Sequence, residues 1–148
     1  MRREARQRGQ NLAELALVAP LLIALFIGVA DLGRAFHAFI VMENAAREAA
    51  RYGASYPDRL TQNTPPSAKL RAADEVQSLL GVELGDIHYG AVPEDPGAGQ
   101  VFIDVQRVGD AIQAEVGYGF TLIAGGFIGV DAVTLVGTAN MMVLSGGS

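Results

Sequence analysis

Leu15 to Ala30 is a run of sixteen residues without a charged or polar side chain. As a helix it is about 24 Å long at about 1.5 Å per residue, slightly short of a hydrocarbon core of about 30 Å. The apolar pattern resumes beyond Asp31 with Leu32, Gly33, Ala35, Phe36 and Ala38–Val41, so a membrane segment of about residues 12–41 is expected. Asp31 and Arg34, one turn apart, are placed to neutralise each other or to sit at the outer headgroup level. Pro20 removes one backbone hydrogen bond within the run and predicts a kink or a loosened turn.

The helical phase continues further. Gly28, Leu32, Ala35, Phe39, Met42, Ala46, Ala49 and Gly53 are spaced alternately by four and three, a narrow apolar seam for helix packing. Its Gly and Ala members permit close approach of a neighbour. Arg34, Glu43, Asn44, Arg47, Glu48 and Arg51 form the polar side, with Glu43–Arg47 and Glu48–Arg51 at pairing distance along the helix. One long helix over 10–53 is the simplest account.

Behind Gly53 come turn signals, Tyr56-Pro57-Asp58 and Asn63-Thr64-Pro65-Pro66. A second helix is predicted over Pro65–Leu80, capped by Thr64 and ended by Gly81, with Leu70, Ala73, Val76 and Leu80 on its apolar side. The period then changes to two. Ile87–Tyr89 predicts a short strand, Pro93–Gly99 a loop joining two strands, and Val101–Val105 a strand. Gly109-Asp110 predicts a hairpin turn, followed by strands over Ile112–Tyr118 and Ala132–Leu144. The expected fold class is α+β: a long and a shorter helix covering a small antiparallel sheet of three or four strands. The expected organisation is a basic leader over 1–9, a long helix over 10–53 and an extracytoplasmic domain over 54–148.

Charge sharpens this picture. The chain carries −5, yet Met1–Gly9 holds four arginines and one glutamate, leaving −8 on the remainder. A basic flank before an apolar helix stays in the cytoplasm. The expected topology is therefore single-pass in the cytoplasmic membrane, N-terminus inside and C-terminal domain outside, with the lipid bilayer as a partner. The acidic remainder gives no support to a nucleic-acid surface. With no cysteine there is no disulfide framework and no thiolate chemistry.

Catalytic signals are weak. His37 and His88 lie far apart in sequence, and no His-Glu-x-x-His, Walker or calcium-loop pattern occurs. The glycines of Gly117-Tyr118-Gly119-Phe120 and Gly125-Gly126 precede no lysine-bearing helix and read as a strand end and a turn. Glu94-Asp95, flanked by prolines, reads as solvated turn residues. The expectation is a non-enzymatic chain without catalytic, metal or cofactor residues.

Glu14 differs from the other acids. A carboxylate at the mouth of a membrane segment is costly and must be neutralised or paired. It is the fifth residue after Gly9. A cut between Gly9 and Gln10 would create an α-amino group near it, and the two would attract strongly at low dielectric, within one subunit or across two. The bland reading places Glu14 at the cytoplasmic interface, hydrated. A separate alternative makes the N-terminus a secretory signal cut near Ala30, leaving a secreted or anchored extracytoplasmic binding module.

Gly9-Gln10-Asn11-Leu12-Ala13-Glu14-Leu15-Ala16-Leu17-Val18-Ala19-Pro20-Leu21-Leu22, then Gly28–Phe36 and Asn44–Tyr52, resembles the signature of TadE-like proteins, minor pilins or pseudopilins of tight-adherence (Flp) pilus systems. Glu115-Val116, Tyr118-Gly119-Phe120 and Thr138-Ala139-Asn140-Met141 resemble the family more loosely. Leu15 stands where the family commonly has an aromatic residue. The resemblance implies cleavage after Gly9 by a prepilin-type peptidase and a recognition and assembly role for Glu14. It also implies other pilin-like subunits and the pilus assembly platform as partners, and a role in pilus assembly, adhesion or secretion, possible incorporation into an extracellular pilus included.

Overall fold

The computed structural model describes the backbone of residues 2–60 and 66–143. Helix α1 runs without interruption from Arg2 to Ser55, with Pro20 inside it. A short 3-10 turn at Pro57–Arg59 follows, then α2 over Ala68–Leu80. The strands are β1 (Ile87–Tyr89), β2 (Val101–Val108), β3 (Ala111–Thr121) and β4 (Ala132–Met142), with a single-turn helix α3 (Gly125–Ile128) between β3 and β4.

The four strands form one sheet in the order β1-β2-β3-β4. The β2–β3 and β3–β4 pairs are antiparallel, as expected, the first through the hairpin turn predicted at Gly109-Asp110. The β1–β2 pair is parallel, which corrects the expectation of a purely antiparallel sheet: the sheet is mixed. The reason lies in the connection. The chain between Tyr89 and Val101 is too long for a tight hairpin and long enough to return and re-enter in the same direction. It crosses the sheet where β3 has no side chains: a Cβ on Gly117 would strike Val92, and one on Gly119 would strike the Gly97 carbonyl. The Thr134 hydroxyl donates to the Glu94 carbonyl at 2.9 Å, fastening the crossing to β4.

The opposite sheet face is the core face. Ile103, Val116 and Gly137 are aligned across it, as are Val105, Ala114 and Ala139. Val101, Ile103, Val105, Ile112, Ala114 and Val116 are fully or almost fully buried there. Helices α1 and α2 cover this face. The core they close contains Ala45, Ala46, Ala49 and Ala50 of α1 and Ala68, Ala72, Ala73 and Val76 of α2, all buried. Small side chains let the two helices and the sheet approach closely.

The start of α2 departs from expectation. Ser67 is the N-cap, its hydroxyl accepting the Leu70 N–H at 3.3 Å. Thr64 and Pro65, expected to start the helix, lie outside the described residues, as does Leu144 at the expected end of β4. Gly81 ends α2 in the left-handed conformation, φ +67°, as the sequence predicts. Lys69, read as neither core nor site, is 8% exposed and reaches Asp104 on β2 at 3.6 Å.

Candidate functional site: the exposed apolar helix and its junction with the head

The site is built along α1. Between Leu12 and Ala30 the helix touches little of the rest of the chain. Leu17 is 79% exposed, Leu21 72% and Phe26 71%, values that a core helix of a soluble domain does not show. It is the one helix among the described residues long and apolar enough to cross a membrane. The Pro20 nitrogen cannot donate, which leaves one carbonyl of the preceding turn without its helical partner. Gly9 and Gln10 fall within the backbone of α1. Glu14 stands exposed at the start of the apolar stretch.

The character of α1 changes at Asp31, which is 3% exposed. Its carboxylate accepts the Ile123 N–H at 3.0 Å through Oδ1 and the Ala124 N–H at 2.7 Å through Oδ2. Arg34 donates to Asp31 Oδ1 at 3.0 Å. The pairing of Asp31 with Arg34 was legible from their spacing. The larger role of Asp31, holding a loop ninety-two residues further on, was not. The Arg34 guanidinium also lies 5.0 Å from the centre of the Phe120 ring. Beside this junction Ala30, Gly33, Arg34, His37, Tyr118 and Phe120 line an open cleft of about 520 Å³.

Replacing Asp31 by Ala is expected to orphan both amides of the loop, and a buried donor left unpaired is strongly disfavoured. Hydrogen exchange at Ile123 and Ala124 in the full chain should rise by about tenfold or more. Asn at position 31, which keeps one acceptor, should give a smaller rise. Unchanged protection in the Ala variant would remove Asp31 from this role.

The seam divides at this junction. Met42, Ala46, Ala49 and Gly53 are buried against the head, together with Ala38, Val41, Ala45 and Ala50. Leu32 and Phe39 are exposed, Gly28 is exposed and Ala35 half-buried. The helix therefore turns the distal half of its seam into the head and leaves the proximal half on the surface. The closest approach is at Gly137 on β4, where a Cβ would strike the Met42–Glu43 backbone of α1. Next to it the Glu43 carboxylate accepts the Thr138 N–H at 3.3 Å, satisfying one donor of the edge strand. On the outer side of α1, Glu43–Arg47 pair at 3.6 Å and Glu48–Arg51 at 2.9 Å.

His37 lines the junction cleft, whereas His88 is stacked on Phe102 at 4.9 Å between ring centres. The two histidines are not brought together into one cleft. No group of three or more His, Cys, Asp or Glu side chains suited to a metal occurs among the described residues.

A single helix that is apolar and bare at one end and folded into an α+β head at the other defines an anchored-head architecture. The family model described as TadE-like protein matches residues 9–51, which is α1 from the Gly9 position almost to its end. Over these residues the chain is similar to that family, and they take in the whole of its bare apolar stretch. No curated protein and no solved structure matches the chain.

Proposed function

We propose that this chain is a structural, pilin-like subunit of a tight-adherence (TadE-like) pilus assembly or secretion apparatus, held in the cytoplasmic membrane by α1. The observation that carries the reading is the bare apolar stretch from Glu14 to Ala30, continuous with a helix that docks on the head and lying inside the TadE-like match. Such a surface is stable only in lipid or against other subunits.

In this reading residues 1–9 are a leader removed by a prepilin-type peptidase between Gly9 and Gln10. The arginines of the leader hold the N-terminus in the cytoplasm, and the head lies outside. The helix from 10 to 53 is anchor and spine in one, and residues 54–148 complete the head. The membrane span is drawn to about residues 12–30 because Asp31, Ala38, Val41 and Met42 are spent on the head. Glu14 is the assembly carboxylate, pairing with the new α-amino group of Gln10 in its own subunit or a neighbour. Its partners are the bilayer, the peptidase, other pilin-like subunits and the assembly platform, and the adhesive role follows from the assembly.

Intact-mass analysis of the protein from its host should find a chain that begins at Gln10. A mature chain beginning at Asp31 would make the apolar stretch a discarded signal and overturn the reading.

A further inference from the structure

The loop between β3 and β4 carries no charged residue from Leu122 to Val130; its sequence is Leu-Ile-Ala-Gly-Gly-Phe-Ile-Gly-Val. A hairpin connection on a water-facing head is ordinarily polar. Here Ile123 is 55% and Val130 44% exposed. The loop stands where α1 leaves its bare apolar stretch, because the Asp31 carboxylate grips the Ile123 and Ala124 amides.

We propose that this loop is a second membrane contact, dipping into the outer leaflet beside the helix. The inference rests on the reading of α1 as a membrane span and extends it. Two independent observations carry it. The first is placement: Asp31, the residue that follows the bare apolar stretch, holds the Ile123 and Ala124 amides, so the exposed Ile123 and Val130 stand at the level where α1 leaves that stretch. The second is the treatment of the loop backbone. Lipid offers no hydrogen bonds, so inserted backbone groups must be satisfied internally. The N–H groups of residues 122 to 125 are all paired: Leu122 donates to the Asp131 carbonyl, Ile123 and Ala124 to Asp31, and Gly125 to the Leu122 carbonyl. Gly129 N–H donates to the Gly125 carbonyl. Arg34, half exposed beside the loop, is placed at the headgroup level, where its charge meets lipid phosphate.

A helix alone leaves the head free to tilt about its point of exit. A helix and a loop together give two lines of contact and fix the tilt. The β2–β3 turn then points away from the bilayer, since it lies at the other end of β3, about 33 Å along an eleven-residue strand.

The chain has no tryptophan, so a single introduced one reports its own surroundings. Full-length Leu21→Trp, Ile123→Trp, Val130→Trp and Gln106→Trp variants are placed in phosphatidylethanolamine–phosphatidylglycerol vesicles. Some of the vesicles carry a nitroxide near the head of the acyl chain. The expected result is blue-shifted emission at positions 21, 123 and 130, strong nitroxide quenching at 123 and 130, and several-fold less quenching by aqueous acrylamide there than at 106. Quenching at 123 and 130 by acrylamide as strong as at 106, with position 21 buried in lipid, would overturn the loop contact alone. Blue-shifted emission at 123 and 130 without nitroxide quenching would mean a second copy of the chain covers the loop, and would also overturn it. Position 21 open to acrylamide would overturn the membrane span and, with it, this inference.

Discussion

Gly137→Val in the full-length chain should unseat α1 from the sheet. A Cβ at this position meets the Met42–Glu43 backbone, which has no rotamer by which to retreat. Either β4 shifts outward or the helix lifts. Each movement opens the contact among Met42, Ala46 and the core strands, and takes Glu43 from the Thr138 amide. Overpacking against backbone lies at the upper end of its usual cost, about 3 kcal/mol. For a head of this size that corresponds to a fall in melting temperature of about 15 °C in detergent. Gly28→Val, at a position with nothing nearby, should leave the melting temperature of the head unchanged. Equal melting of the Gly137 variant and the parent would show that the close approach does not support the fold.

Glu14→Ala should leave membrane insertion of the chain intact and cut its recovery in the assembled apparatus by about a hundredfold. Removing one member of a charge pair at low dielectric strands the other, at a cost of about 3 kcal/mol or more. Insertion itself depends on the apolar run from Leu15 to Ala30, which the substitution lengthens. Membrane fractionation and co-purification with the apparatus separate the two outcomes. Glu14→Gln, which keeps a hydrogen-bond acceptor without the charge, should fall between them. Normal assembly of the Ala variant would end the case for Glu14 as the assembly carboxylate.

The elements with strong periodicity were legible in the sequence. The apolar run, the 3.5-residue spacing behind it, the period-two strands and the Gly109-Asp110 turn each correspond to an element, although α1 begins at Arg2 rather than at residue 10 and β2 and β3 each run three residues past their expected ends. Local chemistry suffices for these, because each element is encoded within its own residues. What was illegible depends on residues distant in sequence. The parallel β1–β2 pair depends on a loop passing over Gly117 and Gly119, and a glycine in a strand does not say what approaches it. Their spacing of two did place both on one face of β3, a signal of a trough on that face. Asp31 was read with its neighbour Arg34, since its other partners are backbone amides, which have no sequence signature. The cap of α2 was expected at Thr64, whereas Ser67, three residues on, accepts the Leu70 N–H.

The candidate site divides in the same way. Gly9, Gln10, Glu14 and the apolar stretch form a local pattern, readable in one pass along the chain. The seam was visible as a spacing but not as two functions, because only the folded head decides which of its residues are occupied. Met42 through Gly53 are committed to the head, while Gly28, Leu32 and Phe39 stay on the surface.

The unbroken path of α1 from Glu14 to Ser55 makes it a keyed shaft. Each residue advances a helix by about 100° and 1.5 Å. The compass bearing of Glu14 is therefore geared to the bearing of the head through every intervening peptide. Adding one residue anywhere between them would swing the acid more than a quarter-turn without altering a single contact within the head.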